Sequence, residues 1–205
     1  MWLTKKEVDM NCDALLTAGI NPTCAAHPVG YEKRACLINK ADIESITISD
    51  NVISAITLKS GKTGYLIKQQ GKPFNGTKAS VVVGDYGNTF TKTAQFVSAE
   101  VGAANAKGIY DALLNGEFLL IVENKDKGTN NQAAFEVLGS ETGLRIATGE
   151  KDAYQQGNRW TFTLQEESCL SSEIFFYSTS YAATVTAFEA LLPSGSLGGG
   201  TTPSV

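Results

Sequence analysis

Short runs of β-branched and apolar residues, separated by turn residues, dominate the chain from residue 35 onward. Residues 43–49 and 53–58 flank the polar pair Asp50-Asn51, an arrangement typical of a β-hairpin. Polar and apolar positions alternate in residues 90–97 and most regularly in residues 160–165, as in strands with one buried face. Residues 117–123 are so apolar at their centre that the pattern predicts a strand buried on both faces.

Weaker strand patterns and loops fill the rest of this region. A polar loop is predicted over residues 70–78, because Gly71, Pro73 and Gly76 punctuate it. The remaining strands are predicted at residues 35–39, 65–67, 79–83, 134–138, 144–147 and 174–177.

Three segments have helical patterns instead. Residues 4–18 begin with the capping-box spacing of Thr4 and Glu7. Residues 102–116 carry apolar side chains at helical spacing, and Gly116 is the expected C-cap. A short helix is predicted over residues 182–192, ending before Pro193.

The expected fold class is α+β and mainly β: an antiparallel β-sandwich or curled sheet with an N-terminal helix, one intervening helix and a flexible C-terminal arm. We expect an N-terminal helix and arm over residues 1–34, a single β-rich domain over residues 35–193, and a Gly/Ser-rich arm over residues 194–205. A chain of 205 residues is long enough to bury such a core without disulfides.

Charge and hydropathy exclude several classes of function. The formal net charge of -4 has the wrong sign for a protein that grips nucleic-acid phosphates over its whole surface. The longest apolar runs are far shorter than a membrane span. Because no apolar segment follows Lys5 and Lys6, we expect no secretory signal.

The residues that could carry chemistry are few and scattered. Cys12, Cys24, Cys36 and Cys169 are widely spaced, with His27 as the only imidazole, so we expect four unpaired thiols and no metal site. His27 lies between Ala26 and Pro28 in the predicted arm, a poor context for a catalytic base.

The carboxylates offer no better catalytic pair. Glu166 and Glu167 are adjacent and would point to opposite faces of a strand, and Glu123 with Asp126 is equally unsuited to glycoside hydrolysis. We expect all four to be solvent-facing charges. No glycine-rich phosphate-binding motif is present. The sequence therefore predicts no enzyme activity and no cofactor.

Several segments together carry a resemblance to a known group of proteins. These are residues 24–30 (CAAHPVG), 37–43 (LINKADI), 56–62 (ITLKSGK), 117–124 (EFLLIVEN), 134–139 (AFEVLG), 143–144 (GL) and 160–164 (WTFTL). In these segments the sequence resembles virion structural proteins of tailed phages that infect Bacteroidetes, and its length and β-rich plan look like those of a tail tube subunit.

The resemblance implies a structural function in the virion. A tail tube subunit would join its strands to those of neighbouring copies in stacked rings, usually of six, around a channel through which DNA passes. The partners implied are copies of the chain and other virion proteins, with DNA only as passing cargo and no membrane. A head-to-tail ring protein and a capsid decoration protein remain alternatives, and no catalytic residue is implied.

Two segments are expected at subunit interfaces. Phe74 is an apolar residue on a polar loop, and it either contacts a neighbouring subunit or folds back on its own core. Leu197 and Val205 are the apolar residues of the C-terminal arm, which we expect to cross a neighbour, with packing along its own subunit as the alternative.

A function of another class is a particle-borne carbohydrate-binding β-sandwich module. In such a module, aromatic residues such as Trp160, Tyr177 or Tyr181 would form an exposed platform. Burial of Trp160 together with Phe162 would instead favour the structural subunit.

Overall fold

The computed structural model describes residues 28, 30–68, 76–85, 87–98, 102–103, 106–154 and 159–194. The predicted N-terminal helix and almost all of the C-terminal arm lie outside these residues. The strands are β1 (Tyr31–Asn39), β2 (Ile43–Ser49), β3 (Val52–Leu58), β4 (Tyr65–Lys68), β5 (Gly76–Val82), β6 (Thr89–Ser98), β7 (Phe118–Asn124), β8 (Phe135–Leu138), β9 (Arg145–Asp152), β10 (Arg159–Cys169) and β11 (Phe175–Phe176). The α-helices of this part are α1 (Asp111–Asn115), which continues a π-helical turn (Ala106–Tyr110), and α2 (Tyr181–Ala190).

The described chain is mainly β, and its strands form two sheets. The larger sheet has seven strands in the order β2-β3-β11-β8-β7-β1-β4, antiparallel except where β11 pairs with β3. The smaller sheet has the order β5-β6-β10-β9 and is antiparallel throughout. The described strands do not close into a barrel.

Strand β7 separates the two parts of the core. Its residues Phe118 to Glu123 are all buried, which confirms the prediction of a strand covered on both faces. Because side chains alternate along a strand, Leu120 and Val122 pack in one cluster while Leu119 and Ile121 pack in the other.

Each cluster has a different cover. The first contains side chains of the four-stranded sheet, among them Phe96, Phe162 and Leu164. The second lies under helix α2, whose Phe188 is fully buried. Ser180 caps this helix by accepting a hydrogen bond from the N–H of Ala183. The seven-stranded sheet therefore has side chains of the smaller sheet packed on one face and α2 packed on the other.

The hairpin predicted at Asp50-Asn51 is confirmed. These two residues have φ of 49° and 64° between the paired ends of β2 and β3. Two positive φ values are typical of the turns whose twist matches a tight hairpin, and Asn and Asp tolerate them better than most residues do.

Two predicted boundaries are wrong. Strand β1 begins at Tyr31, inside the segment assigned to the N-terminal arm, and Tyr31 pairs with Asn124 of β7. Strand β5 begins at Gly76, so residues 76–78 do not belong to the predicted loop. In both cases pairing with another strand, β7 for β1 and β6 for β5, overrides the local composition.

The predicted C-cap of the intervening helix at Gly116 is confirmed. Gly116 follows α1, but its φ of -85° is not left-handed. A side chain at this position would collide with the ring of Phe118. The glycine is therefore explained by the close approach of that ring.

Candidate assembly surface

Strand β5 is an open edge of the smaller sheet, because β6 is its only strand partner among the described residues. Val81, Val82 and Val83 are exposed by 60%, 44% and 81% of their surface. An unpaired edge presents N–H and C=O groups that can pair with another chain, and native monomers usually protect such an edge. The exposed valines at the end of β5 and directly after it therefore form a candidate contact surface.

Strand β9, which has β10 as its only strand partner among the described residues, is the opposite open edge of the same sheet. Beside it lies an open groove of about 570 Å³, which we term the β9 groove; its lining includes Tyr110, Leu114, Ile146, Gly149, Trp160 and Phe162. The ring of buried Phe162 lies against Gly149, and Leu114 of α1 is 60% exposed. The groove thus offers apolar side chains next to unpaired backbone.

The face of the smaller sheet that points away from the core is polar and uncharged at its centre. Four residues of β6 and β10 face the core: Ala94, Phe96, Phe162 and Leu164. Because side chains alternate along a strand, the residues next to them in sequence face outward. These positions on β6 and β10 are Thr93, Gln95, Thr161, Thr163 and Gln165.

Glu166 of β10 is the most enclosed carboxylate of the described chain, with no exposed surface. Its Oε2 accepts a hydrogen bond of 2.7 Å from the N–H of Gly139. Its Oε1 accepts bonds from the N–H groups of Glu141, Thr142 and Gly143 at 2.9, 2.8 and 3.3 Å. This carboxylate therefore fixes the loop that joins β8 to β9.

Lys92 of β6 is in register with Glu166 and is also buried, with 2% of its surface exposed. Its Nζ has no hydrogen-bond partner among the described residues. Nearby, burial raises the pKa of Glu136, which accepts a hydrogen bond from Thr77 at 2.8 Å. The charge of Lys92 partly opposes this shift. Opposite charges in this enclosed region partly compensate each other's loss of water.

Glu123 forms a second enclosed polar network on the side of α2. Its carboxylate accepts hydrogen bonds from Arg34 Nε at 2.6 Å and from the hydroxyl of Tyr181 at 2.9 Å. Lys127 Nζ lies 3.8 Å from the same carboxylate and 4.1 Å from the centre of the Tyr181 ring. These contacts join β1, β7 and α2.

The expectation that all four singled-out carboxylates face solvent is wrong for two of them. Glu166 and Glu123 are buried, whereas Glu167 is exposed, so the opposite orientation of Glu166 and Glu167 is confirmed. The alternation that starts at Trp160 already places Glu166 on the inward face of its strand. Glu123 likewise belongs to a strand whose burial was predicted. The alternation in β10 and the apolar character of β7 could therefore have predicted the burial of these two carboxylates.

The described cysteines are unsuited to chemistry. Burial raises the pKa values of Cys36 and Cys169 to about 12, and Glu166 adds to the shift of Cys169. Neither forms a disulfide in the described part of the chain. The described residues also hold no group of three or more His, Cys, Asp or Glu side chains placed to bind a metal ion.

We expect the two buried thiols to resist modification in the folded protein. A disulfide-exchange reagent at pH 8 reacts with the thiolate, which a pKa near 12 makes scarce. The measurement is a thiol count before and after denaturation without reductant. Four thiols per chain should appear after denaturation, with Cys36 and Cys169 appearing only then. Fewer than four would reveal a disulfide or a modification.

The aromatic residues proposed for a binding platform are all half-buried. Trp160 is half-buried and stacks on buried Phe162, with ring centres 5.5 Å apart. Tyr181 is half-buried within the Glu123 network, and Tyr177 is half-buried beside β11. These side chains do not form one exposed aromatic face.

The interface residues predicted from the sequence are not tested by this geometry. Phe74, Leu197 and Val205 all lie outside the described residues. The valines of β5 and the β9 groove were missed, since nothing local distinguishes an edge strand from a central one.

Within the described ranges, none of the helices has the length and apolar content needed to cross a membrane. Comparisons with models of protein families, with curated proteins and with solved structures find no match to this chain.

Proposed function

We propose that this chain is a structural subunit of a phage virion, most like a tail tube protein, that assembles with copies of itself into stacked hexameric rings around a DNA channel. Its partners are then other copies and other virion proteins, and DNA is passing cargo. The proposal joins the sequence resemblance to one structural observation, the two open edges of the smaller sheet.

These edges carry the proposal because they suit head-to-tail association. The smaller sheet has four antiparallel strands, so β5 and β9 run in opposite directions. Strand β5 of one copy can therefore lie antiparallel to β9 of the next, and the sheet continues across the junction. Such contacts between different edges generate rings when the rotation between copies closes.

The layers of the subunit indicate how a ring would curve. In this proposal the two sheets pack as a β-sandwich. The seven-stranded sheet and α2 lie on one side of the smaller sheet. Since the outer part of a ring has the larger circumference, the bulkier layers belong outside. The exposed face of the smaller sheet would then line the channel.

The chemistry of that face suits passing DNA. The formal net charge of -4 would permit an acidic lumen. The proposed lining instead has Thr93, Gln95, Thr163 and Gln165 at its centre, which are uncharged. An uncharged polar surface offers no ionic attraction to phosphates, so it would not hold DNA in place.

The carbohydrate-binding alternative receives less support. A platform for a sugar needs exposed aromatic rings, whereas Trp160 is stacked on Phe162 at the core between the sheets. The burial of both rings expected of a structural subunit is met in part, since Phe162 is buried and Trp160 is half-buried.

Self-assembly is the expected behaviour of the purified full-length chain. Light scattering coupled to size-exclusion chromatography should give a mass that rises with concentration to a defined oligomer. Negative-stain images should show rings or tubes with a central hole. A strict monomer at every concentration, with no contact between copies inside an intact particle, would contradict the proposal.

A further inference from the structure

We propose that β5 of one copy pairs with β9 of the next in the register that sets Val81 opposite Gly149, so that Val81 enters the β9 groove. This inference rests on the proposed self-assembly and specifies its contact. Its occupant is a second copy of the chain.

The faces of the two strands match in this arrangement. Ala79 and Val81 of β5 are paired with Lys92 and Phe90 of β6, respectively. The side chains of each pair therefore point to the same, inward face of the sheet. On β9, Gly149 pairs with Phe162, which belongs to the core. A register that sets Val81 opposite Gly149 keeps inward residues beside inward residues, as a continuous pleated sheet requires.

The backbone of β5 is oriented for this pairing. The N–H of Thr77 bonds to the hydroxyl of Tyr31 at 3.2 Å, and so points away from β6. Bonded and non-bonded positions alternate along an antiparallel pair. The N–H and C=O groups of Ala79 and Val81 therefore also face the open edge.

The same alternation can be followed through the sheet to β9. Thr77 is opposite Ala94, which consequently directs its backbone groups to Leu164 of β10. Phe162 lies two residues from Leu164 on β10, so its backbone N–H and C=O groups also point toward β6. Phe162 is paired with Gly149 of β9. Because the backbone groups of Phe162 point toward β6, those of Gly149 point away from β10, toward the open edge. Val81 and Gly149 can thus exchange backbone hydrogen bonds.

Charge favours this register over the one shifted toward the end of β9, while the opposite shift keeps an unlike pair, Lys78 with Glu150, but sets Val81 against Ala147 at the irregularity of β9. With Val81 opposite Gly149, Lys78 of β5 falls opposite Asp152 of β9. Shifting the strand by two residues toward the end of β9 moves Lys78 beyond Asp152 and sets Val81 against Lys151. Directly opposed unlike charges favour a register.

The β9 groove can accept the valine. Gly149 has no side chain to obstruct an incoming one, and the ring of Phe162 lies beneath it. Leu114 and Ile146 border the same groove. Entry of Val81 would cover apolar surface on both copies, including that of Leu114, which is 60% exposed.

A disulfide across the junction tests the register. In this pairing Ser80 lies opposite Glu150 at a position without backbone bonds, where Cα atoms approach within disulfide range. Oxidation of the full-length variant Ser80→Cys/Glu150→Cys should give a ladder of linked oligomers on a non-reducing gel. The matched control is Ser80→Cys/Thr148→Cys, which displaces the second thiol by two residues, about 6.6 Å. The chain without added cysteines sets the background.

The outcomes separate the register from the proposed function. A ladder from the Ser80/Glu150 pair above both controls supports the register. Oligomers of normal mass without that ladder, or with one only from the Ser80/Thr148 pair, overturn the register but leave self-assembly standing. A chain that stays monomeric overturns both. As a second measurement, Lys78→Glu should weaken assembly and Lys78→Glu/Asp152→Lys should restore it.

Discussion

Replacing Glu166 with alanine is expected to lower the free energy of unfolding by about 3–5 kcal/mol. The substitution removes the acceptor of four backbone N–H groups in the loop between β8 and β9. It also leaves the buried ammonium of Lys92 without the carboxylate in register with it. Unsatisfied buried donors and an uncompensated buried charge are among the most destabilising changes known for single substitutions.

Glu167→Ala is the matched control for this prediction. It removes the same side chain from the adjacent, exposed position, where substitutions usually change stability by about 0.5 kcal/mol or less. For a chain of this length, 1 kcal/mol corresponds to about 2–4 °C in Tm. Thermal unfolding of both variants should therefore separate them clearly. Equal Tm values would mean that the loop does not depend on the buried carboxylate.

The second large effect is expected for Gly139→Ala, at about 2–5 kcal/mol. Gly139 has a φ of 86°, which disfavours any residue with a Cβ atom. Its Cβ would collide with the carbonyl oxygen of Phe118 and lie 3.0 Å from the N of Leu144. Phe118 and Leu144 exchange backbone hydrogen bonds, so neither group can move without breaking the pairing of β7.

Gly61→Ala separates the two causes of this effect. Gly61 has a comparable φ of 74°, but a Cβ there would meet no atom within 4 Å. The control should therefore show only the left-handed backbone cost, about 1–2 kcal/mol. Chemical denaturation of the two variants measures the difference. A loss for Gly139→Ala no greater than that for Gly61→Ala would rule out the predicted collision.

Local sequence predicted those elements whose cause is local. Asp50-Asn51 marks its hairpin through turn geometry, and residues 117–123 mark a buried strand through their continuous apolar character. The order of strands could not be obtained in this way. Strand β1 lies between β4 and β7, and β11 lies between β3 and β8, through pairings that no local pattern encodes.

At the candidate surface, too, local sequence predicted some features, whereas others depend on the order of the strands. The alternation in residues 160–165 was sufficient to orient Trp160 and Phe162. The exposed valines of β5 have the composition of a core strand, and only the sheet order reveals that they lie at an edge. The importance of Gly149 likewise depends on Phe162, which reaches it from the neighbouring strand.

The placement of β6 also has a consequence for synthesis. Residues of β6 and their partners on β10 are 62 to 79 positions apart, from Ser98 with Trp160 to Phe90 with Cys169. At about 5–20 residues per second, the ribosome needs about 3–16 s to bridge that interval. During this time the hairpin of β5 and β6 lacks its neighbour. Every newly made chain thus passes through several seconds in which β6 is itself an open edge and Lys92 has yet to meet Glu166.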